Sequence, residues 1–346
     1  MKATIKDVAK LAGVSVGTAS KVINSQGNVA PEMREKVYRA VQQLNYSVNR
    51  VARSLRSSST NTVAVLLAEV TNPFQMTLAR GIEEVMYKNG YHLLISSTKE
   101  DPEIERENLK MLYEKRVDAI IVCTTGEADA EIRSILQRDV PIVLVDRPVL
   151  TLPVDIVADN NLLGMELLVK YIFELGHRDI GVVHGNLNTI HGRLRHQGVI
   201  NGLELYELNT PPEHQVVGDF KYEGGYNAVQ HFFSLQRPPT AIICANNNMT
   251  AGVLGACKDL NIRIPQDVSV VSYGDLDYTW NLITPSVTVV TQSPFEIGRK
   301  SAELVLQRLS DKNIPGLSHL FLKPELIVRE SSGPCETIHQ RGGCNK

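Results

Sequence analysis

The strongest constraint on the fold of this 346-residue chain is an alternation of short apolar runs with longer amphipathic segments that begins near residue 62. The apolar runs are Thr62-Ala68, Tyr91-Ser96, Ala119-Cys123, Ile142-Val145, Ile180-His184, Ala241-Ala245 and Val268-Ser272. Such an alternation is typical of buried strands in parallel sheets whose two faces are covered by helices. Because about 270 residues exceed one comfortable sheet, the pattern predicts an α/β body of two lobes.

The first 46 residues have a different pattern, that of three short helices. A capping box at Thr4 and Asp7 predicts the start of the first helix, and Gly13 predicts its end. Ser15 can cap a second helix, and Pro31 suits the first turn of a third. Two helices joined by a tight glycine turn and supported by a third form a helix-turn-helix unit. The sequence therefore predicts a small all-α head before the α/β body.

The charge distribution separates the head from the body. Residues 1–60 hold ten Lys or Arg and three acidic residues, whereas the rest of the chain holds 26 basic and 35 acidic side chains. Neutralising phosphates needs a local cluster of cations. The asymmetry therefore points to a polyanionic partner for the head alone.

Cysteine use and hydropathy indicate a cytoplasmic protein. The five cysteines include no CxxC pair, and Cys123 and Cys244 end apolar runs, which fits reduced, packed thiols. The N-terminal residues are interrupted by charged side chains and contain no apolar signal core, and no run of about 18 apolar residues occurs. We therefore expect neither secretion nor membrane association.

The head also carries a long pattern of residues, running from Thr4 to Asn24 and continuing in Asn45-Tyr46 and Val51-Leu55. Over these segments the chain resembles the lactose/galactose repressor (LacI-GalR) family, and the order of the later segments extends the resemblance to about residue 330. The resemblance implies a transcriptional regulator, expected to be a repressor, that binds a palindromic operator on double-stranded DNA as a homodimer. It also implies a body like that of periplasmic binding proteins, closing around a small effector.

The resemblance and the polar segment Arg56-Asn61 together divide the chain. We expect a helix-turn-helix domain over residues 1–48, a hinge helix and linker over 49–61, an effector-binding and dimerisation domain over 62–330, and a flexible tail over 331–346. The two lobes are expected at roughly 62–160 plus 292–323 and 161–291 plus 324–330. The tail has no leucine heptads, which favours a dimer over a larger assembly.

The second helix of the head is the expected DNA reader. A helix starting at Ser15 would turn its first residues toward base edges in the major groove, and the resemblance assigns base reading to Val16, Gly17 and Lys21. Neither Val16 nor Gly17 has a side-chain donor, so Val16 is expected against a thymine methyl while Lys21 reads guanine. The side chains expected to contact phosphates are Ser15, Thr18, Ser20 and Asn24.

The segment from Asn49 to Arg56 is the expected hinge. Its eight residues are too few for a stable helix in water, which fits a segment that folds only against DNA and a partner copy. The resemblance implies that Leu55 enters the minor groove as a wedge, and Arg53 is expected at the DNA beside it.

Polar and aromatic side chains follow the predicted strands of the body, at the edge where ligands bind in parallel sheets. Carboxylates, amides and guanidinium groups suit a hydroxyl-rich ligand, and a phenylalanine ring offers a flat apolar face. The residues predicted to bind the effector, several of them by the resemblance, are Asn72, Phe74, Asp146, Arg147, Arg195, Phe220, Asn246, Asp275 and Gln292. Arg195 is the expected anchor because charge-assisted hydrogen bonds are strong, and the expected effector is a sugar or sugar derivative.

No enzymatic or metal chemistry is expected. Gly13-Gly17 matches a G-x-S-x-G motif, but it follows a predicted helix rather than the strand that hydrolases require. His177, His184, His191 and His196 have spacings that suit no metal site, so we interpret them as loop and helix surface residues and expect no cofactor. The alternatives are a sugar-binding protein without a DNA role and an enzyme in the same cleft, but neither explains residues 1–60. Whether the effector induces or co-represses stays open.

Overall fold

The computed structural model describes residues 3–23, 27–46, 59–275, 283–311 and 314–335. Contacts between Cα atoms divide the chain into two compact units, Met1–Thr60 and Asn61–Lys346. The expected hinge falls largely on residues 47–58, outside the described residues. In the described parts of the chain, no helix is long and apolar enough to cross a membrane.

The head contains three short helices in its described residues. They are α1 (Ile5–Ala12), α2 (Val16–Ile23) and α3 (Pro31–Gln43). The capping box of Thr4 and Asp7 is present at the start of α1, and Gly13 ends this helix in the left-handed conformation, with φ of 63°. One face of each helix packs into a small core built on Val8, Val22 and Val37. The remaining faces point to solvent.

The body begins with an alternation of strands and helices, as the apolar runs predict. In chain order these are β1 (Thr62–Leu67), α4 (Pro73–Lys88), β2 (His92–Ser97), α5 (Pro102–Glu114), β3 (Ala119–Val122), α6 (Asp129–Leu136), β4 (Ile142–Val145) and β5 (Asp155–Asp159). Burial along β1, β3, β4 and β5 is nearly continuous, which is typical of strands covered on both faces.

The alternation continues through a second set of elements. These are α7 (Asn161–Glu174), β6 (Ile180–His184), α8 (Ile190–Leu205), a 3₁₀ turn (Pro212–His214), β7 (Gln215–Val217), α9 (Tyr222–Ser234), β8 (Ala241–Cys244), α10 (Asn247–Asp259), β9 (Ser269–Tyr273) and β10 (Thr288–Thr291). The last elements are α11 (Pro294–Ser310), β11 (His319–Leu322) and β12 (Glu325–Ile327).

The described strands form two six-stranded sheets. The first has the order β11-β5-β4-β3-β1-β2 and is parallel throughout, and the second has the order β12-β10-β9-β8-β6-β7, with only β12 antiparallel to its neighbour. We call the first sheet with its helices the first lobe and the second sheet with its helices the second lobe. The chain crosses between lobes after β5, β10 and β11. The predicted α/β class with a helical head and a two-lobed body is confirmed.

Helices cover both faces of each sheet. In the first lobe, α4 and α11 pack on one face, with Leu78 and Ile297 in the core, while α5 and α6 cover the other through Leu109 and Ile132. In the second lobe, α7 pairs with α8 and α9 pairs with α10 around one continuous core. The carboxyl ends of the parallel strands are the edges that remain available to a ligand.

The segment predicted as a flexible tail from residue 331 is instead fixed over residues 331–335. Ser331 is fully buried, and its hydroxyl donates a 2.6 Å hydrogen bond to the carbonyl of Val270. His177 contacts the carbonyl of Gly333 at 3.0 Å, and the Cys335 amide donates to Leu175 at 2.8 Å. The prediction relied on polar composition, which does not reveal hydrogen bonds to a distant sheet edge. Residues 336–346 lie outside the described residues.

Candidate functional site

The helix α2 presents the predicted base-reading side chains to solvent. The Ser15 hydroxyl accepts a 3.0 Å hydrogen bond from the Thr18 amide and so caps the helix start. Val16 is 42% exposed, and Gly17 and Lys21 are exposed on the same helix. A methyl group on Gly17 would meet nothing closer than the Ser15 hydroxyl at 3.8 Å. The first turn of α2 is therefore an open surface that can approach another molecule closely.

The other predicted DNA contacts differ in accessibility. Thr18 is half-buried, and its hydroxyl lies 2.9 Å from the Ser15 hydroxyl. Ser20 is half-buried as well. Asn24, Arg53 and Leu55 lie outside the described residues. Of the predicted DNA contacts that the structure describes, the most exposed are those in the first turn of α2 together with Lys21.

In the body, a cavity of about 390 Å³ lies where strands of both lobes end. Eight of the predicted effector-binding residues line it: Asn72, Phe74, Asp146, Arg147, Arg195, Phe220, Asn246 and Gln292. Asp146 and Arg147 follow β4 in the first lobe, and Asn246 follows β8 in the second. Residues distant in sequence meet here because parallel strands bring their carboxyl ends to a common edge.

Asp275 does not line this cavity. Its carboxylate forms a two-point ion pair with Arg329, at 2.6 Å and 3.3 Å. Arg329 lies just after β12, which pairs antiparallel with β10, and it also donates to the carbonyl of Val287 at 2.7 Å. An effector contact from Asp275 therefore stays a prediction, because in this structure its carboxylate is engaged by a guanidinium that sequence order places far away.

Arg195 is a firmly positioned cation of the cavity. Its Nε donates to Asn161 Oδ1 at 2.7 Å, and its Nη1 donates to the carbonyl of Ala245 at 2.8 Å. The guanidinium also lies over the Tyr273 ring, 4.1 Å from the centroid. Burial lowers the pKa of Arg195, while Asp159 and Asp146 oppose this effect. These contacts hold the guanidinium in one orientation, which is what precise recognition of a small ligand requires.

Asp146 is a buried carboxyl with an unsatisfied oxygen. Gln75 donates to Asp146 Oδ2 at 3.5 Å, and the Cys123 thiol donates to the same oxygen at 3.6 Å. Asp146 Oδ1 is buried and has no hydrogen-bond partner. Burial raises the pKa of Asp146, and the charge of Arg147 opposes that shift. A ligand hydroxyl in the cavity could supply the missing hydrogen bond.

A second buried carboxyl, Asp159, lies at the first crossover between the lobes. Tyr273 at the end of β9 donates a hydrogen bond to Asp159 Oδ2 and thereby joins the two lobes. Burial raises the pKa of Asp159 to about 7, opposed by the charge of Arg195 and by a hydrogen bond from Gln292. Gln292 itself follows β10, at the second crossover. The crossovers between the lobes thus carry polar side chains that contact the cavity residues.

His191 forms part of the cavity wall. Its ring stacks on Phe220, with centroids 4.7 Å apart and an interplanar angle of 18°. The prediction of surface histidines is wrong for His177, His184 and His191, which are only 3% to 5% exposed. Burial, helped by the charges of Arg147 and Arg195, holds the pKa of His191 well below its usual value, so the ring is neutral. Its Nδ1 is buried without a hydrogen-bond partner.

Several cavity residues were not predicted from sequence. They are Ala68, Glu69, Gln75, Glu100, Asn186, Thr189, His191, Asp219, Lys221, Asn247 and Asn248. Asn247 and Asn248 directly follow the predicted Asn246, and the carboxyl-end rule could have found them. Gln75 is a single buried polar residue within a helix, and no local pattern marks it. Among the described residues, no group of three or more His, Cys, Asp or Glu side chains could hold a metal ion.

Two folded features define the class of this protein. A helix-turn-helix head whose second helix has an exposed first turn and an exposed Lys21 is joined in one chain to a two-lobed body that holds a small polar cavity. This combination is that of a ligand-responsive DNA-binding regulator.

Comparison with known proteins gives the family. Residues 4–49 match the bacterial regulatory proteins of the lacI family, and residues 169–332 match a periplasmic binding protein-like domain. The ribose operon repressor of Escherichia coli (strain K12) is 34% identical over 332 residues, which cover 95% of this chain and 100% of that protein. The chain belongs to the lacI family, whose members are transcriptional regulators rather than enzymes, and the resemblance predicted from the head is confirmed.

Two solved structures support this assignment. The lac repressor dimer bound to operator and the anti-inducer ONPF superimposes with a TM-score of 0.86 at 25% identity, covering 96% of this chain and 100% of that one. A LacI family transcriptional regulator from Enterococcus faecium with bound ribose gives a TM-score of 0.72 at 26% identity, covering 80% of this chain and 100% of that one.

Proposed function

We propose that this protein is a cytoplasmic repressor that binds a pseudo-palindromic operator as a homodimer. Its affinity for the operator changes, in one direction or the other, when a small sugar occupies the interlobe cavity. The observation that carries the proposal is the cavity itself, because its wall combines an oriented guanidinium, amides, unsatisfied buried polar atoms and an aromatic face. That mixture suits a compact ligand rich in hydroxyl groups.

The effector that fits best is a monosaccharide, and a pentose such as ribose is the first candidate. A cavity of about 390 Å³ is at the small end of ligand sites. Support comes from the similarity to the ribose operon repressor and to the regulator with bound ribose. Phe220, which stacks on His191 in the cavity wall, offers a flat face for a sugar ring, and Asp146 Oδ1 can accept from a hydroxyl.

On DNA, we assign base reading to Val16, Gly17 and Lys21 and phosphate contact to the polar residues around them. Val16 and Gly17 are exposed but carry no side-chain donor, so Lys21 and DNA shape provide most of the discrimination in this proposal. A dimer would present two such helices to half-sites one helical turn apart. The likeness to the lac repressor dimer bound to operator supports this arrangement.

A ligand in the cavity can control DNA binding only if it has different affinities for two conformations of the body. The second lobe is tied to the first by the Tyr273–Asp159 hydrogen bond and by the crossovers, so a ligand that contacts Asp146 and Arg195 bridges both lobes. Occupancy would therefore shift the balance between open and closed lobes. Whether this releases or favours the operator is set by which conformation the DNA-bound dimer prefers.

Calorimetry of the full-length chain tests the ligand assignment. Titrations with D-ribose, other pentoses, hexoses, sugar acids and purines are expected to show one-site binding to a pentose, with weaker or no binding by the others. Arg195→Ala should weaken this binding about a hundredfold, whereas the matched surface change Arg193→Ala, on the exposed side of the same helix, should leave it unchanged. Tight binding of a purine with no response to any sugar would contradict the assignment.

A further inference from the structure

Arg147 has its two terminal nitrogens occupied by a neighbouring carboxylate. The guanidinium is only 5% exposed and donates from Nη1 to Glu100 Oε2 at 2.7 Å and from Nη2 to Glu100 Oε1 at 2.5 Å. Such two-point pairing is the geometry by which arginine recognises a carboxylate or phosphate of a ligand. In this cavity a side chain of the protein itself holds that position.

Glu100 is held in place by an unusual turn. Lys99 and Glu100 are consecutive non-glycine residues with positive φ, 54° and 61°, a conformation that residues with a Cβ seldom adopt. The Ser97 hydroxyl accepts from the Lys99 amide and the Thr98 hydroxyl from the Glu100 amide, each at 3.3 Å. The turn ends at Asp101, the N-cap of α5. The backbone therefore directs the Glu100 carboxylate toward Arg147.

The position of Glu100 places it between a buried cation and solvent. Its side chain is 50% exposed, whereas that of Arg147 is 5% exposed, and both line the cavity. An anionic group of a ligand could reach Arg147 Nη1 and Nη2 only by displacing Glu100. It would then lie beside a displaced carboxylate and close to Asp146, whose Oδ2 is 4.0 Å from Arg147 Nε. The anion and Glu100 would then compete for one guanidinium, so binding of the anion would cost the Arg147–Glu100 ion pair.

The charges around the cavity also favour an uncharged ligand. Among the described residues that line it, the carboxyl groups of Glu69, Glu100, Asp146 and Asp219 outnumber the three cationic side chains. A neutral polyol can donate hydroxyls to these carboxylates and accept from Arg195 without displacing Glu100. A phosphate or carboxylate group directed at the terminal nitrogens of Arg147 would have to displace Glu100.

We propose that Glu100 is a specificity-determining residue that occupies Arg147 in place of a ligand anion and restricts the effector to uncharged, hydroxylated molecules. This inference rests on the proposed function, because it names the class of sugar that the same cavity accepts. It changes the role of Arg147, which becomes the partner that positions Glu100 rather than a direct anion anchor.

Calorimetry with D-ribose and D-ribose 5-phosphate tests the inference on the full-length chain. The unaltered protein should bind D-ribose at least about a hundredfold more tightly than the phosphate, since like-charge contacts cost several kcal/mol. Glu100→Gln, which keeps the size of the side chain but removes its charge, should narrow that ratio at least about tenfold. Because the size is unchanged, a gain in phosphate binding cannot come from relieved steric exclusion.

Two further variants serve as controls. Glu100→Asp keeps the negative charge and should keep the preference for D-ribose, and Glu103→Gln removes an exposed charge on α5 that pairs with Arg106 outside the cavity and should also keep it. The inference is overturned if the unaltered chain binds both compounds equally, or if Glu100→Gln keeps the original ratio. If the unaltered chain binds no neutral sugar at all, the proposed function itself fails, and this inference fails with it.

Discussion

Arg195 and Asn161 form a 2.7 Å hydrogen bond, from Arg195 Nε to Asn161 Oδ1, that fixes the principal cation of the cavity. Asn161 is 2% exposed and begins α7 immediately after the chain has crossed from the first lobe to the second. Asn161, which orients the guanidinium, therefore lies at the crossover, where a relative movement of the lobes would change its position.

Replacing either Arg195 or Asn161 should weaken effector binding, but to different degrees. Arg195→Ala removes charge-assisted hydrogen bonds worth about 1.5–3 kcal/mol each, so we expect effector affinity to fall about a hundredfold with DNA affinity unchanged in the absence of effector. Asn161→Ala leaves the cation but not its orientation, and about a tenfold loss is expected. Calorimetry measures both. Asn201→Ala, on α8 but hydrogen-bonded to Glu166, is the control and should bind normally.

Gly185 makes room for the aromatic face of the cavity. A Cβ at this position would overlap the Phe220 ring, which stacks on His191. Gly185→Ala should therefore displace the ring, destabilise the body by about 1–3 kcal/mol and weaken effector binding. Urea unfolding and calorimetry report the two effects. Retention of both full stability and full affinity would show that the ring position is not needed.

Gly17 lies on an open surface, so Gly17→Ala, unlike Gly185→Ala, is expected to raise stability. Because an added methyl would meet nothing within ordinary contact distance except the Ser15 hydroxyl, Gly17→Ala should raise the stability of the head by about 0.5–1 kcal/mol through helix propensity. The same methyl would stand between the helix and the base edges, so specific binding should fall about tenfold. Binding to random DNA should not change. Gln43→Ala, exposed at the end of α3, should alter neither affinity.

His184 should contribute to the acid sensitivity of the body. Burial, and then the neighbouring His196, lower the pKa of His184 to about 4 in the folded protein, compared with an ordinary value of 6.5. The unfolded chain therefore binds a proton between these values that the folded chain does not, so this contribution to stability is complete above pH 6.5 and is lost as pH falls toward 4.

The size of this effect follows from the shift. A displacement from 6.5 to about 4 corresponds to at most about 3 kcal/mol. His184→Gln can still donate to Gln215, its partner at 3.3 Å, and its Tm should fall less between pH 7 and pH 4.5 than that of the unaltered chain. His92→Gln, at an exposed position of β2, is the control. Parallel Tm curves for His184→Gln and the unaltered protein would contradict the account.

The sequence predicted the strands, the head and most of the cavity because those features depend on local patterns. Asn246, for example, follows an apolar run, and the carboxyl-end rule places it at the ligand edge. The sequence predicts His191 at the surface, whereas in the structure its ring stacks on Phe220, almost thirty residues away in sequence, a contact that no helical pattern reveals. The engagement of Asp275 by Arg329 likewise depends on how β12 pairs with the second sheet.

The role of Glu100 likewise could not be predicted from the sequence around it. Its neighbours Lys99, Asp101 and Pro102 are those of an ordinary polar turn before a helix, and the residue it meets, Arg147, lies in a different loop. Only the tertiary arrangement shows that one cation predicted to contact the effector already has an anionic partner.

The central claim, that occupancy of the interlobe cavity controls DNA binding by the head, is tested most directly by fluorescence anisotropy. The full-length chain is titrated onto operator DNA selected from random duplexes, across a salt series, with and without saturating D-ribose. We expect binding that weakens steeply with salt, an affinity that changes at least about tenfold when D-ribose is added, and no such change in Arg195→Ala. Absence of DNA binding at low salt, or an identical response of the unaltered chain and Arg195→Ala, would contradict the claim.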